Sequence, residues 1–151
     1  MTKNITWQCS EFEDLSVSQL YALLKLRQDV FVVEQACVYQ DIDAQDQSAW
    51  HVQGFIAGEL VAYSRVLGPN TRFEEPSIGR VIVAPSFRID GLGYQLMSAS
   101  MALCHEKFPA RPIRISAQVH LKDFYGKLGF SVCSDVYDED GIDHVEMISS
   151  D

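Results

Sequence analysis

The first regular pattern in the chain is an alternation of apolar and polar positions from Ile5 to Gln8, which predicts a short strand. Leu20, Leu23, Leu24 and Leu26 then recur at helical spacing and run on to Val30 and Phe31, behind Asp14 and Ser16 as alternative N-caps. They predict an amphipathic helix over about 15–31. Val32 to Val38 stays apolar around Glu34 and Gln35, as a short second helix or a bend, and 39–47 (YQDIDAQDQ) is an acidic loop. His51 to Ile56 and Leu60 to Leu67 read as two strands of a hairpin turning at Gly58. Pro69, Asn70 and Pro76 break the loop that follows. A strand over about 77–83, a turn at Pro85 and a helix over about 91–107 come next. The inward stripe of that helix is Leu92, Leu96, Met97, Ser100, Leu103 and Cys104, and Phe108-Pro109 stops it. Pro112 to Ala117 predicts another strand. Val119 to Leu128 predicts a helix that Gly129 ends, with Leu121, Phe124, Tyr125 and Leu128 on one side. Phe130 to Val136 and Asp143 to Ile148 close the chain as a hairpin around Asp138-Glu139-Asp140-Gly141. The order, β-α-(α)-β-β-β-α-β-α-β-β, predicts an α/β (α+β) architecture: a mixed sheet with helices on both faces.

Composition narrows the function classes. The 151 residues, 47% apolar and 22% charged, suit one soluble globular domain over 1–151. No run approaches membrane-spanning length, and the start is too polar for a signal peptide, so the expected compartment is the cytoplasm, with no membrane partner. A net charge of −9 argues against a nucleic-acid partner and suits a cationic substrate, while an anionic ligand would need local groups to hold it. Cys9, Cys37, Cys104 and Cys133 stand far apart, and His51, His105, His120 and His144 are scattered. Neither set has metal-ligand spacing, so no metal is called for and the thiols are expected reduced.

Candidate chemistry begins at Ser77 to Met97. Arg88-x-x-Gly91-x-Gly93 falls between an expected strand and an expected helix. A helix start offers free N–H groups and the positive end of the dipole, and glycine lets a phosphate approach the backbone. The same glycines could serve turn geometry alone. The motif lacks the Gly-Lys-Ser/Thr of a Walker loop and the spacing of a dinucleotide fingerprint. A second stretch, Gln118 to Phe130 (QVHLKDFYGKLGF), follows at the next strand and helix.

With these two motifs, and with LRQDVFVVEQACVYQDID at 26–43, LVAYSRVL at 60–67, IGRVIV at 78–83 and VYDEDGIDHVEM at 136–147, nearly the whole chain resembles the GNAT superfamily of acyl-CoA-dependent N-acetyltransferases, in its ElaA-like subgroup. The resemblance implies a mixed, mostly antiparallel sheet of six to seven strands with a splayed central strand pair. It implies acetyl-CoA as co-substrate, with Val81, Ile82 and Val83 along the pantetheine arm, Arg88, Ile89, Asp90, Gly91, Leu92, Gly93 and Tyr94 around the pyrophosphate, and Gln118 against the pantetheine. Tyr125 takes the place of the general acid for the departing thiolate; a tyrosine stays protonated at neutral pH and can donate there. For the general base the candidates are His51, His144 and Glu34. Against these stand ordinary roles: exposed strand-end histidines, and an ion pair or cap for Glu34. Arg65 would pair with Asp41 or Asp43, or contact substrate. The acidic loop is either a solvated surface or a mouth for a cationic acceptor. The expected reaction is direct acetyl transfer to a primary amine of a small molecule or peptide. A longer acyl chain, or a non-catalytic acyl-CoA-binding module, are the alternatives, and a homodimer through the last strands is left open.

Overall fold

The computed structural model describes residues 4–88 and 91–150. Its strands form two antiparallel sheets. In the first, β1 (Thr6–Glu11), β2 (Trp50–Ile56), β3 (Glu59–Leu67) and β4 (Ser77–Val83) pair in sequence order. In the second, β5 (Arg114–Gln118) pairs with β8 (Ile142–Ser149), which also pairs with β6 (Phe130–Val132) and β7 (Tyr137–Glu139). The closing hairpin is therefore β7–β8, turning at Asp140 and Gly141, both at positive φ. The expected first arm, Phe130 to Val136, is divided: only its start pairs with β8, as β6.

Ser16 begins α1 (Val17–Arg27) with a capping box, its hydroxyl accepting from Gln19 N–H while the Gln19 side chain accepts from Ser16 N–H, both at 3.0 Å. The helix does not stop at Arg27. It widens into π-type turns over Gln28–Glu34, where Gln35 N–H reaches Val30 O at 3.0 Å and Cys37 N–H reaches Val32 O at 3.1 Å. The apolar run at 32–38 is thus the end of this wider coil. Helix α2 (Leu92–Lys107) buries the six residues its pattern selects, and Phe108 N–H caps it on Cys104 O. The expected helix over 119–128 is a 3-10 turn, Val119–Leu121, followed by the short α3 (Lys122–Gly126).

Both sheets share one core. Val52, Val61, Val66 and Ile78 from the first pack with Leu96, Met97 and Leu103 of α2 and with Ile115, Ala117, Val145 and Met147 of the second. A smaller core on the other face of the first sheet joins Leu23, Val30, Tyr63 and Ile82. Helices accordingly cover both faces, as the order of elements predicts.

Candidate active site

The first and second sheets meet at β4 and β5, and there they come apart. Arg114 N–H bonds Pro76 O at 3.0 Å, tying the starts of the two strands together. No register pairs them beyond that point. A cavity of about 450 Å³ opens in the gap, with Val81 and Val83 on one wall and Ser116 and Gln118 on the other. This is the splayed pair.

Strand β4 is shaped for the gap by a bulge. Tyr63 stands opposite Ile82 and Arg65 opposite Gly79, so Arg80 and Val81 together face the single residue Ser64. Arg80 takes the left-handed conformation (φ 50°), which a side chain with a Cβ adopts only under constraint. Past the bulge, Ala84 N–H bonds Val61 O at 2.8 Å. By the alternation of an antiparallel ladder, Val83 then turns its N–H and C=O away from β3, toward the gap. Arg88 Nε already donates to Val83 O at 2.9 Å. Ile82, expected along the cofactor arm, does not fit that role: it pairs with Tyr63 and buries its side chain in the smaller core.

Arg88 and Gln118 line the cavity. Glu34 reaches it from the end of the π-type turns and grips Arg88 with both oxygens, at 2.5 and 2.7 Å. Those hydrogen bonds hold the Glu34 carboxyl below its usual range, which suits an ion-pair partner better than a base. Gly91 caps α2 in the left-handed conformation (φ 70°) with open space around it. Gly93 faces Phe124, and an added Cβ would meet the ring at 3.4 Å, an ordinary van der Waals distance. Leu92 is core, leaving only its backbone to a ligand, and the Tyr94 ring packs tilted against Phe124 (centroids 4.7 Å apart). None of Gly91 to Tyr94 lines the cavity itself. Ile89 and Asp90 lie outside the described residues.

Tyr125 is 8% exposed and lines the cavity among Phe124 and Phe130. Burial pushes its hydroxyl up to about 12, so it holds its proton across the physiological range.

The histidines divide sharply. His51 is no base. It is fully buried in β2, away from the cavity lining and not at an exposed strand end. Its Nε2 can only donate to Asp46 O (2.9 Å), so its Nδ1 accepts from Tyr63 OH (2.6 Å) and no lone pair is left; burial also makes it harder to protonate. His144 lies within β8, directly opposite Gln118 and Tyr137. Its Nδ1 can only donate to Ile142 O (2.8 Å), which leaves Nε2 as the lone-pair nitrogen of the neutral ring. His144 lines the cavity, and so does His120.

The carboxylates of the acidic loop are not a solvated surface. Asp41 and Asp46 are buried, and with Asp43 they meet Arg27, Arg65 and Arg80 in a charge-balanced network. Arg65 binds both oxygens of Asp43 (2.7 and 2.8 Å), one of the two pairings its position predicts. Each already paired with arginine, Asp41, Asp43 and Asp46 form no mouth for a cationic acceptor. Burial alone would raise the Asp43 carboxyl, but the Arg65 hydrogen bonds and charge outweigh it and bring it down to about 2. Arg27 was legible only as a charge on the apolar stripe, four residues after Leu23. Other cavity residues without a sequence signal are Tyr39, Arg72, Ser116 and Glu139. They come from loops and strand faces, and no spacing along the chain marks them for the cavity.

Known proteins share this sequence and shape. A family model for the acetyltransferase (GNAT) domain matches residues 14–150. Protein ElaA of Escherichia coli K12 is 48% identical over 145 residues, covering 95% of each chain. The crystal structure of E. coli ElaA superposes with a TM-score of 0.92 at 46% identity, over 97% of this chain and 100% of that one. An acyl-CoA N-acyltransferase from Pseudomonas aeruginosa superposes with a TM-score of 0.93 at 39% identity, over 97% and 100%. With the strand pair split over a cavity and a family match along almost its entire length, this chain belongs to the GNAT family of acyl-CoA-dependent N-acyltransferases, in the ElaA-like group.

Proposed function

We propose that the protein transfers the acetyl group of acetyl-CoA directly to a primary amine, with Tyr125 as general acid and His144 as general base. The observation that carries this reading is the buried, protonated Tyr125 hydroxyl in the cavity where β4 and β5 part. The outward-turned backbone of Val83, with Val81 beside it on the cavity wall, suits the amides of a pantetheine arm, with Gln118 opposite. Arg88 and the first N–H groups of α2, from Gly91 to Gly93, suit the pyrophosphate. Val83 N–H is the donor for the negative charge that develops on the acetyl oxygen.

The proton bookkeeping closes on these residues. The ammonium gives one proton to His144 Nε2, and the freed lone pair attacks the thioester carbon. The C–N bond forms as the C–S bond breaks, and Tyr125 protonates the leaving sulfur. The nitrogen's second proton restores Tyr125, and His144 returns its proton to solvent. The cytoplasm is the compartment in which such an enzyme would meet its donor.

Acetyl-CoA should raise the melting temperature, as linkage requires, and longer acyl-CoA chains should do so less. Tyr125→Phe should lower kcat by roughly a hundredfold while leaving acetyl-CoA affinity within about twofold. Unchanged turnover would remove Tyr125 from the mechanism, and binding without turnover toward any amine would leave an acyl-CoA-binding module.

A further inference from the structure

The wall of the cavity built by β5, β7 and β8 carries a group of polar residues that donor binding does not use: Ser116, Tyr137, Glu139 and His144, with Arg72 from the loop before β4. Their hydrogen bonds fix one another's direction. Glu139 Oε1 accepts from Arg72 Nη2 at 2.5 Å and from Ser116 Oγ at 3.3 Å. A carboxylate only accepts, so the Ser116 hydroxyl spends its proton there and takes the proton of the short Tyr137 hydroxyl contact. The Tyr137 ring stacks on the His144 imidazole at 27°, centroids 6.1 Å apart. His144 is thus held by a ring on its face and by Ile142 O on its Nδ1.

What this frame leaves is a mismatch. Glu139 Oε2 and His144 Nε2 stand 3.5 Å apart. In the neutral ring both are acceptors, and no proton lies between them. Two acceptors facing each other across such a gap attract a donor with more than one N–H. Both side chains line the cavity.

We propose that the gap between Glu139 Oε2 and His144 Nε2 is the receiving notch for the acceptor's ammonium group, with Glu139 as the residue that selects for a cation and Arg72 and Ser116 as the residues that position it. The inference rests on acyl transfer to an amine as proposed above. One N–H of the ammonium bonds Oε2 and a second bonds Nε2. Transfer of that second proton leaves an imidazolium beside the Glu139 carboxylate and a neutral amine with its lone pair free. Charge is conserved: the cation moves from nitrogen to ring, and the carboxylate faces it before and after. A neutral acceptor, such as an alcohol, gains nothing from Glu139.

The notch is tested without a donor. Long-range proton–nitrogen NMR of histidine-labelled protein at about pH 8, above the usual imidazole range, reads the tautomer of His144. The expected spectrum has a protonated Nδ1 and an unprotonated Nε2. Methylammonium chloride should move the Nε2 resonance saturably, whereas tetramethylammonium chloride, with the same charge and no N–H, should not. Glu139→Gln should weaken the methylammonium response by roughly tenfold, the scale of one charge-assisted hydrogen bond. Arg72→Gln, which keeps the carboxylate but removes its tether, should weaken the response less than Glu139→Gln does. An Nε2–H tautomer, equal responses to both cations, or an unchanged response in Glu139→Gln would overturn the proposal. So would loss in Arg72→Gln equal to that in Glu139→Gln, which would make the carboxylate a loop tie only. A thermal shift with acetyl-CoA on the same samples reports the donor reading separately, so either can fail alone.

Discussion

Arg27 sits four residues after Leu23 and three before Val30, on the stripe that α1 and the turns after it bury, and it is 0% exposed. Its guanidinium is held by Asp41 Oδ2 at 2.8 Å, Asp46 Oδ1 at 2.7 Å and Asp41 O at 2.9 Å. Removing one partner from a buried ion network strands the others without water to solvate them. Arg27→Met should therefore destabilise the fold by about 3–5 kcal/mol, read as a drop in the urea midpoint at constant slope. A loss under about 1 kcal/mol would mean that Arg65 and Arg80 satisfy the carboxylates alone. His51 and His144 make a parallel point about single residues. Both sit in strands, and nothing in their immediate sequence separates them. They differ in hydrogen bonding: His51 spends both nitrogens on Asp46 and Tyr63, whereas His144 spends one on Ile142 and turns the other to the cavity.

At the scale of elements, two joints shape the cavity. The first is the β4 bulge. Arg80 holds a left-handed backbone while its side chain is anchored, Nε lying 2.8 Å from Asp41 Oδ1 and the guanidinium 5.5 Å from the Tyr39 ring centre. A non-glycine residue there costs on the order of 1–3 kcal/mol, which the anchors offset. Arg80→Ala loses the anchors and keeps the strain, and Arg80→Gly loses both. The glycine variant should be the more stable of the two by about 1 kcal/mol in chemical denaturation. Equal stabilities would show that the bulge relaxes when Arg80 is gone. The second joint is Glu34–Arg88, which links the π-type turns to the loop after β4. In Glu34→Gln the Arg88 side chain is free for a diphosphate, so CoA should bind several-fold more tightly by calorimetry, as one competing ion pair is worth little more than about 1 kcal/mol at an exposed site. Weaker binding would assign Glu34 a direct contact with the ligand instead.

At the scale of the whole molecule, the charge network links folding to acid. Asp43, brought down to about 2 despite its burial, and Asp46, lowered the same way by Arg27 and Arg65, bind protons less readily folded than unfolded. Their contribution is complete above the ordinary carboxylate range near pH 4 and is lost as pH falls toward about 2. Unfolding free energy should accordingly fall between about pH 4 and pH 2, and Asp43→Asn should flatten that slope while lowering stability at neutral pH. A slope unaltered by Asp43→Asn would place the acid sensitivity in other carboxylates. No helix among the described residues is long and apolar enough to cross a membrane.

The amino-acid sequence by itself determined the run of elements and the family. Strand β4 spans Ser77–Val83 as its apolar run predicts, and α2 buries Leu92, Leu96, Met97, Ser100, Leu103 and Cys104, because hydrophobic period is a property of neighbours within a few residues. Tyr125 and Gln118 belong to a contiguous motif, and the cavity holds both. Only the tertiary structure decided that the aspartates of the loop at 39–47 form an ionic core rather than a solvated surface, because their partners Arg27, Arg65 and Arg80 approach from α1, β3 and β4. It alone decided that β4 bulges at Arg80, which depends on register with β3, and that His144 rather than His51 meets the cavity. Those outcomes turn on which backbone carbonyl or hydroxyl lies across from a side chain once the sheets have paired. Spacing along the chain carries no information about that.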